Sequence, residues 1–106
     1  MDKVDLEITK RLDRRLREEL GKVEVIIYGS RARGNSEPDS DLDVCIIVEK
    51  LNKETRDKVF TIAWETSLEE GIVITPLIFE RKEWEDSPIL ESPIYNNIQK
   101  EGIRVE

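Results

Sequence analysis

Asp41 and Asp43, separated by Leu42 and followed by the apolar run Val44-Cys45-Ile46-Ile47-Val48, are the residues best suited to do chemistry in this chain. In an extended strand alternate residues share a face, so the two carboxylates project together, with Cα atoms roughly 7 Å apart. Leu42 and Val44 then point the other way, into a core. Two carboxylates so placed can share a divalent cation through hard oxygen ligands, and without one they repel each other. A bare Asp-x-Asp pair also arises where one residue caps a turn and the other is solvated, so its surroundings decide its meaning. The preceding apolar run, Val23 to Tyr28, ends at Gly29-Ser30. Glycine lets backbone N–H groups approach a phosphate, and serine can N-cap a short helix and hydrogen-bond an oxyanion. Arg31 and Arg33 add positive charge beside the same loop. An anion cradle next to a cation site is what a metal-bound nucleoside triphosphate requires.

The rest of the chain supplies the elements that must hold these side chains. Val4, Ile8, Leu12, Leu16 and Leu20 recur every fourth residue, which predicts an amphipathic helix over residues 2–20 stopped by Gly21. Its arginines are interleaved with Asp13, Glu18 and Glu19 and read as a mixed, solvated face. Val23 to Tyr28 is a strand apolar on both faces, which places it inside a sheet. Ser30 to Gly34 reads as a short helix and Asn35 to Ser40 as an ordinary turn, so Glu37 and Asp39 stay outside the site. A second strand runs Leu42 to Val48. Asn52 caps a second long helix, whose buried side is expected from Val59, Phe60, Ile62, Ala63, Trp64 and Leu68, with Gly71 ending it.

Ile72 to Phe79 is expected to be a third strand buried on both faces, with Pro76 marking a sheet edge or bulge. After it come a short turn around Trp84, the Ser87-Pro88 and Ser92-Pro93 steps, and a short helix carrying Ile94 and Ile98. Gly102 ends that helix, and Ile103 and Val105 suggest an edge strand. Trp84 and Tyr95 have the chemistry to stack on a purine, but covering the lower rim of the core is the preferred reading.

With 106 residues the chain holds one domain, residues 1–106, without room for a second lobe. A net charge of −7 argues against stable binding to nucleic acid, which needs a basic stripe. One cysteine and no histidine leave neither a disulfide nor a zinc ligand set. With neither a signal peptide nor a long apolar run, the expected setting is cytoplasmic, away from membranes.

Gly29-Ser30, Arg31-Ala32-Arg33-Gly34 and Ser40-Asp41-Leu42-Asp43 together resemble the signature of the minimal nucleotidyltransferases of the DNA polymerase β-like superfamily. The resemblance implies an α/β (α+β) fold, a mixed sheet of three to five strands flanked by helices. It implies transfer of a nucleoside monophosphate, AMP from ATP, to a hydroxyl. Asp41 and Asp43 would be catalytic and would hold Mg²⁺ or Mn²⁺, with Gly29, Ser30, Arg31 and Arg33 binding the phosphates. Many members carry a third carboxylate on the next strand; here Val73 or Thr75 falls at that place, and Glu65, Glu69, Glu70 and Glu80 are the nearby candidates to replace it.

A chain without an acceptor pocket of its own points to a partner. Domains that this one resembles are often encoded beside a helical HEPN-domain ribonuclease, and some adenylylate a tyrosine of that toxin. The implied function is that of an antitoxin enzyme working in a homo- or hetero-oligomer. A nucleotidyltransferase-fold module that neutralises its partner by contact alone is the alternative. The nucleotide-binding half of a transferase acting on a small hydroxylated metabolite is the third reading.

Overall fold

The computed structural model describes residues 2–34, 37–86 and 92–105. The expected turn residues Asn35 and Ser36 and the Ser87-Pro88 step lie outside them. Helix α1, Lys3–Leu20, starts where the Asp2 carboxylate accepts from the Val4 N–H, and it stops at Gly21. Ile8, Leu12 and Leu16 form its buried stripe, whereas Val4 at the expected start of that stripe is exposed. Arg11 and Arg15 reach across to Glu70 and Glu69 of helix α3, Lys53–Glu70.

Strands β1 (Val23–Tyr28), β2 (Leu42–Val48), β3 (Ile74–Glu80) and β4 (Ile103–Val105) form one mixed sheet in the order β3-β2-β1-β4. β1 runs antiparallel to both β2 and β4, while β2 and β3 are parallel and joined through α3. Helices cover both faces, which is why β1 and β2 are apolar at nearly every position. On one face α1 and α3 pack over Val25, Ile27, Leu42, Val44 and Ile46. On the other, Ile26, Cys45, Ile47 and Phe79 are covered by Trp84 of α4 (Arg81–Asp86) and Ile98 of α5 (Pro93–Glu101). Alternation along β2 therefore sends Asp43 to the α4/α5 side and its neighbours Leu42 and Val44 to the other.

Two expectations are corrected. Phe60, Trp64 and Leu68 do not belong to the buried side of α3: they are 47%, 64% and 65% exposed. The face turned to the sheet is Val59, Ala63 and Thr66, whose small side chains let the helix approach closely, and Ile62 is half-buried beside α1. The third strand begins at Ile74 rather than Ile72 and is not buried on both faces: it lies at the sheet edge, one of the two places Pro76 points to, so Leu77 and Ile78 are only partly covered. Pro76, which cannot donate to a ladder, is tolerated there for that reason.

Candidate active site

The antiparallel register of β1 and β2 sets Tyr28 opposite Asp43, so the chain leaving β1 turns directly over the Asp43 carboxylate. Gly29 makes the turn with φ of +79°, and a Cβ built on it would stand 2.5 Å from Asp43 Oδ2. Only glycine satisfies both the positive φ and the close approach. Helix α2, Ser30–Arg33, follows at once, with the Arg33 N–H donating to the Gly29 carbonyl at 3.1 Å. Gly29 itself is the capping residue, so the expected capping role of Ser30 is not seen. Ser30 sits in the first helical turn and is half-exposed.

From the other side, the parallel register places Thr75 of β3 beside Asp43, and its hydroxyl donates to Asp41 Oδ2 at 3.2 Å. Of the two positions expected to face the site, Thr75 is the one that does. Val73 lies before the strand, where its carbonyl accepts from the Leu42 N–H at 2.8 Å. Asp41, Asp43 and Thr75 thus converge at one end of the sheet, beside the Gly29 turn.

The electrostatics match this layout. Asp43 is held above the usual carboxylate range, first by burial and then by the neighbouring Asp41 charge, against which Arg33 pulls it down. Tyr28 is pushed up to about 12 by burial and by the charge of Asp43, with Cys45 adding to it. Arg33 therefore acts on the site through its charge while its guanidinium also pairs with Glu101 at 2.9 Å.

Arg31 is placed differently from the expected phosphate ligand. Its guanidinium is buried, grips Asp5 of α1 at 3.0 and 3.2 Å, and donates to the carbonyls of Ser40 and Pro38. It is a strut between α1 and the loop entering β2, and Asp5 is the supporting residue that the sequence did not single out. Their separation along the chain, 26 residues, leaves no local signal to find.

Of the four carboxylates considered as a third ligand, three are bonded elsewhere, and Glu65 lines a cleft with Arg15 and Glu18 of α1, away from Asp43. Glu69 and Glu70 pair with α1 arginines, and Glu80 accepts from the Leu51 N–H at the far end of β3. Among the described residues no group of three or more potential ligands comes together. Two repelling carboxylates, one of them half-buried, still fit a magnesium ion, which commonly takes one or two protein carboxylates and completes its shell with substrate phosphates and water. Trp84 is buried between Phe79 and Tyr95, with ring centroids 5.1 and 4.6 Å away, and closes the core as preferred above. Beyond the loop, a cleft of about 680 Å³ is edged by Asp2, Glu37, Asp39 and Glu70 and floored by Ile8 and Ile72.

A mixed four-stranded sheet flanked by helices is the fold of a nucleotidyltransferase. Residues 9–105 match the nucleotidyltransferase domain family, and the chain belongs to that family. It is similar to the candidate protein adenylyltransferase MJ0141 of Methanocaldococcus jannaschii, with 38% identity over 58 residues. That match covers 54% of this chain and 59% of the relative, so the chain matches about six-tenths of the relative's length. A crystal structure of a toxin-antitoxin with AMP-PNP superposes with a TM-score of 0.61 over 92% of this chain and 72% of that one. At 14% identity that likeness is one of fold. No helix among the described residues is long and apolar enough to cross a membrane.

Proposed function

We propose that residues 1–106 form a single magnesium-dependent nucleotidyltransferase domain that moves AMP from ATP to a hydroxyl of a partner protein in the cytoplasm, a tyrosine of a HEPN-type toxin. The observation that carries this reading is the Asp41–Asp43 pair under the Gly29 turn, in a chain of the nucleotidyltransferase family. The names of the adenylyltransferase relative and of the toxin-antitoxin neighbour support the acceptor and the partner. The acidic edge of the cleft beside Ser40 suits a basic partner surface.

In the proposed reaction the acceptor oxygen attacks the α-phosphorus, a new P–O bond forms, and the bond to the bridging oxygen of the β-phosphate breaks. Pyrophosphate leaves with that electron pair. Asp41 and Asp43 would hold the Mg²⁺ or Mn²⁺, which when bound offsets charge on the triphosphate and favours ionisation of the acceptor. Gly29 and Ser30 orient the β- and γ-phosphates, and Arg33 balances charge on the leaving pyrophosphate. With no histidine in the chain, a carboxylate or solvent takes the acceptor proton. Arg31 contributes by positioning the loop before Asp41, through its bonds to the Ser40 and Pro38 carbonyls.

A second reading is favoured by one observation: a threonine, not a carboxylate, stands beside Asp43 on β3. On that reading the domain keeps the nucleotide site and neutralises its partner by contact. Isothermal titration with Mg-ATP, followed by an assay of pyrophosphate release with the partner present, separates the two. Binding with release supports the enzyme, and binding without release supports the contact module.

A further inference from the structure

Among the described residues, the outward face of α3 carries the largest exposed apolar feature that the catalytic reading does not use. Phe60, Trp64 and Leu68 follow one another at intervals of four, so they form a single ridge along the helix. Arg15 of α1 pairs with Glu69, so α1 lies along a different side of α3 and does not cover the ridge. From this face we infer that α3 is the contact by which two copies of this chain form a two-fold dimer, helix against helix and antiparallel.

Three observations select a second copy as the occupant. The first is area: at their exposures the three side chains leave on the order of 400 Å² of apolar surface open. A standard interface takes about 800 Å² from each partner, of which some 56–65% is apolar. The ridge alone supplies most of that apolar share.

The second is symmetry. A two-fold interface must be self-complementary. Phe60 and Leu68 stand equally far from Trp64, so a copy rotated about an axis at Trp64 puts each Phe60 against the other chain's Leu68. The interdigitation of such i±4 ridges is the commonest packing of two helices.

The third is charge. Lys53 pairs with Asp57 and Lys58 with Glu54 within the helix, so the flanks carry their own counter-charges and call for no oppositely charged partner. In the antiparallel arrangement Asp57 falls opposite Gly71 and Thr61 opposite Ser67, and no like charges meet. The ridge is on the α1/α3 side of the sheet, whereas Asp43 faces the α4/α5 side, so the dimer leaves both candidate sites open.

The test is the molar mass of the full chain by light scattering or sedimentation over roughly a hundredfold range about a micromolar Kd. Wild type is expected to pass from one chain mass to two as concentration rises. Because each copy carries a charge of −7, added salt should tighten this association, whereas it would weaken a complex with a basic partner. Phe60→Lys and Leu68→Glu should each weaken the dimer about tenfold or more. Mixing these two variants should restore it, since position 60 of one chain then meets position 68 of the other as an ion pair while the second contact stays apolar.

Both variants change exposed side chains and should keep wild-type Mg-ATP affinity, so loss of the dimer is distinguishable from failure of the nucleotide reading. A wild type that stays one chain mass throughout overturns the inference. So does a dimer indifferent to both substitutions, a mixture that fails to recover, or a ridge occupied only by a different protein.

Discussion

Gly29 and Asp43 are fitted to each other: a methyl group at residue 29 would stand 2.5 Å from Asp43 Oδ2, on a backbone whose φ is already +79°. The Gly29 turn and the Asp43 carboxylate are therefore one structural unit. Gly29→Ala should cost about 1–3 kcal/mol of stability and greatly reduce Mg-ATP binding. Gly34→Ala, at φ +80° and ψ 14° in the left-handed helical region with open space around it, imposes a milder backbone strain than alanine at residue 29, whose ψ is −159°, and does not touch Asp43. Gly34→Ala should be the less destabilised of the two in denaturant melts, and in titrations it should keep the Mg-ATP affinity that Gly29→Ala loses.

Raising the pKa of Asp43 has a sign that can be measured. The folded state holds the Asp43 proton more tightly than the unfolded chain does, because of burial and the Asp41 charge. Its contribution to stability is complete below the ordinary Asp pKa and is lost as pH rises through the elevated folded value. In metal-free buffer Asp43→Asn should therefore stabilise the domain at neutral pH, and the gain should disappear in acid. Urea melts of both proteins across the acidic range provide the check.

Metal and nucleotide should reverse that order. A ligand held by the folded state adds about 2.7 kcal/mol at a hundred times its Kd. Wild type should gain stability with Mg-ATP, and the Asp41→Asn/Asp43→Asn variant should not. Chelation of the metal should remove the gain. Thermal melts with and without chelator measure it.

The two arginines of α2 should separate cleanly. Arg31→Ala leaves Asp5 buried without its partner and should cost about 3–5 kcal/mol. Arg33→Ala breaks an exposed pair with Glu101 and should cost at most about 1 kcal/mol, yet weaken nucleotide binding through its charge on the site. Melts and Mg-ATP titrations of the pair would expose a reversed assignment.

Thr75 offers a gain-of-function test. Its register beside Asp43 and its bond to Asp41 put it where a third carboxylate would complete the pair. Thr75→Asp should destabilise the metal-free domain by repulsion and tighten its binding of Mg²⁺ or Mn²⁺, read by calorimetry.

Much of this arrangement is legible in the sequence because it is local. The bounds of β1 and β2 follow from apolar runs ended by Gly29 and Glu49, and the shared face of Asp41 and Asp43 follows from strand alternation. The Asn52 cap is realised by a bond from the Thr55 N–H at 2.8 Å. What the sequence hides depends on partners distant along the chain. Arg31 turns inward because Asp5 waits on α1, which no spacing rule encodes. Phe60, Trp64 and Leu68 look like core by type, but the helix face is chosen by how closely it must approach the sheet, and Ala63 and Thr66 meet that need. The strand Ile74–Glu80 reads as buried on both faces by composition; only Pro76 signals its place at the sheet edge, which the topology sets.

The most direct measurement of the proposed function is to incubate the protein with labelled ATP, Mg²⁺ and the protein encoded beside it, alongside the Asp41→Asn/Asp43→Asn variant. Label on a tyrosine of the partner with wild type, and none with the variant, is the predicted result. An unlabelled partner bound equally well by both proteins would contradict the transferase and leave a domain that acts by contact alone.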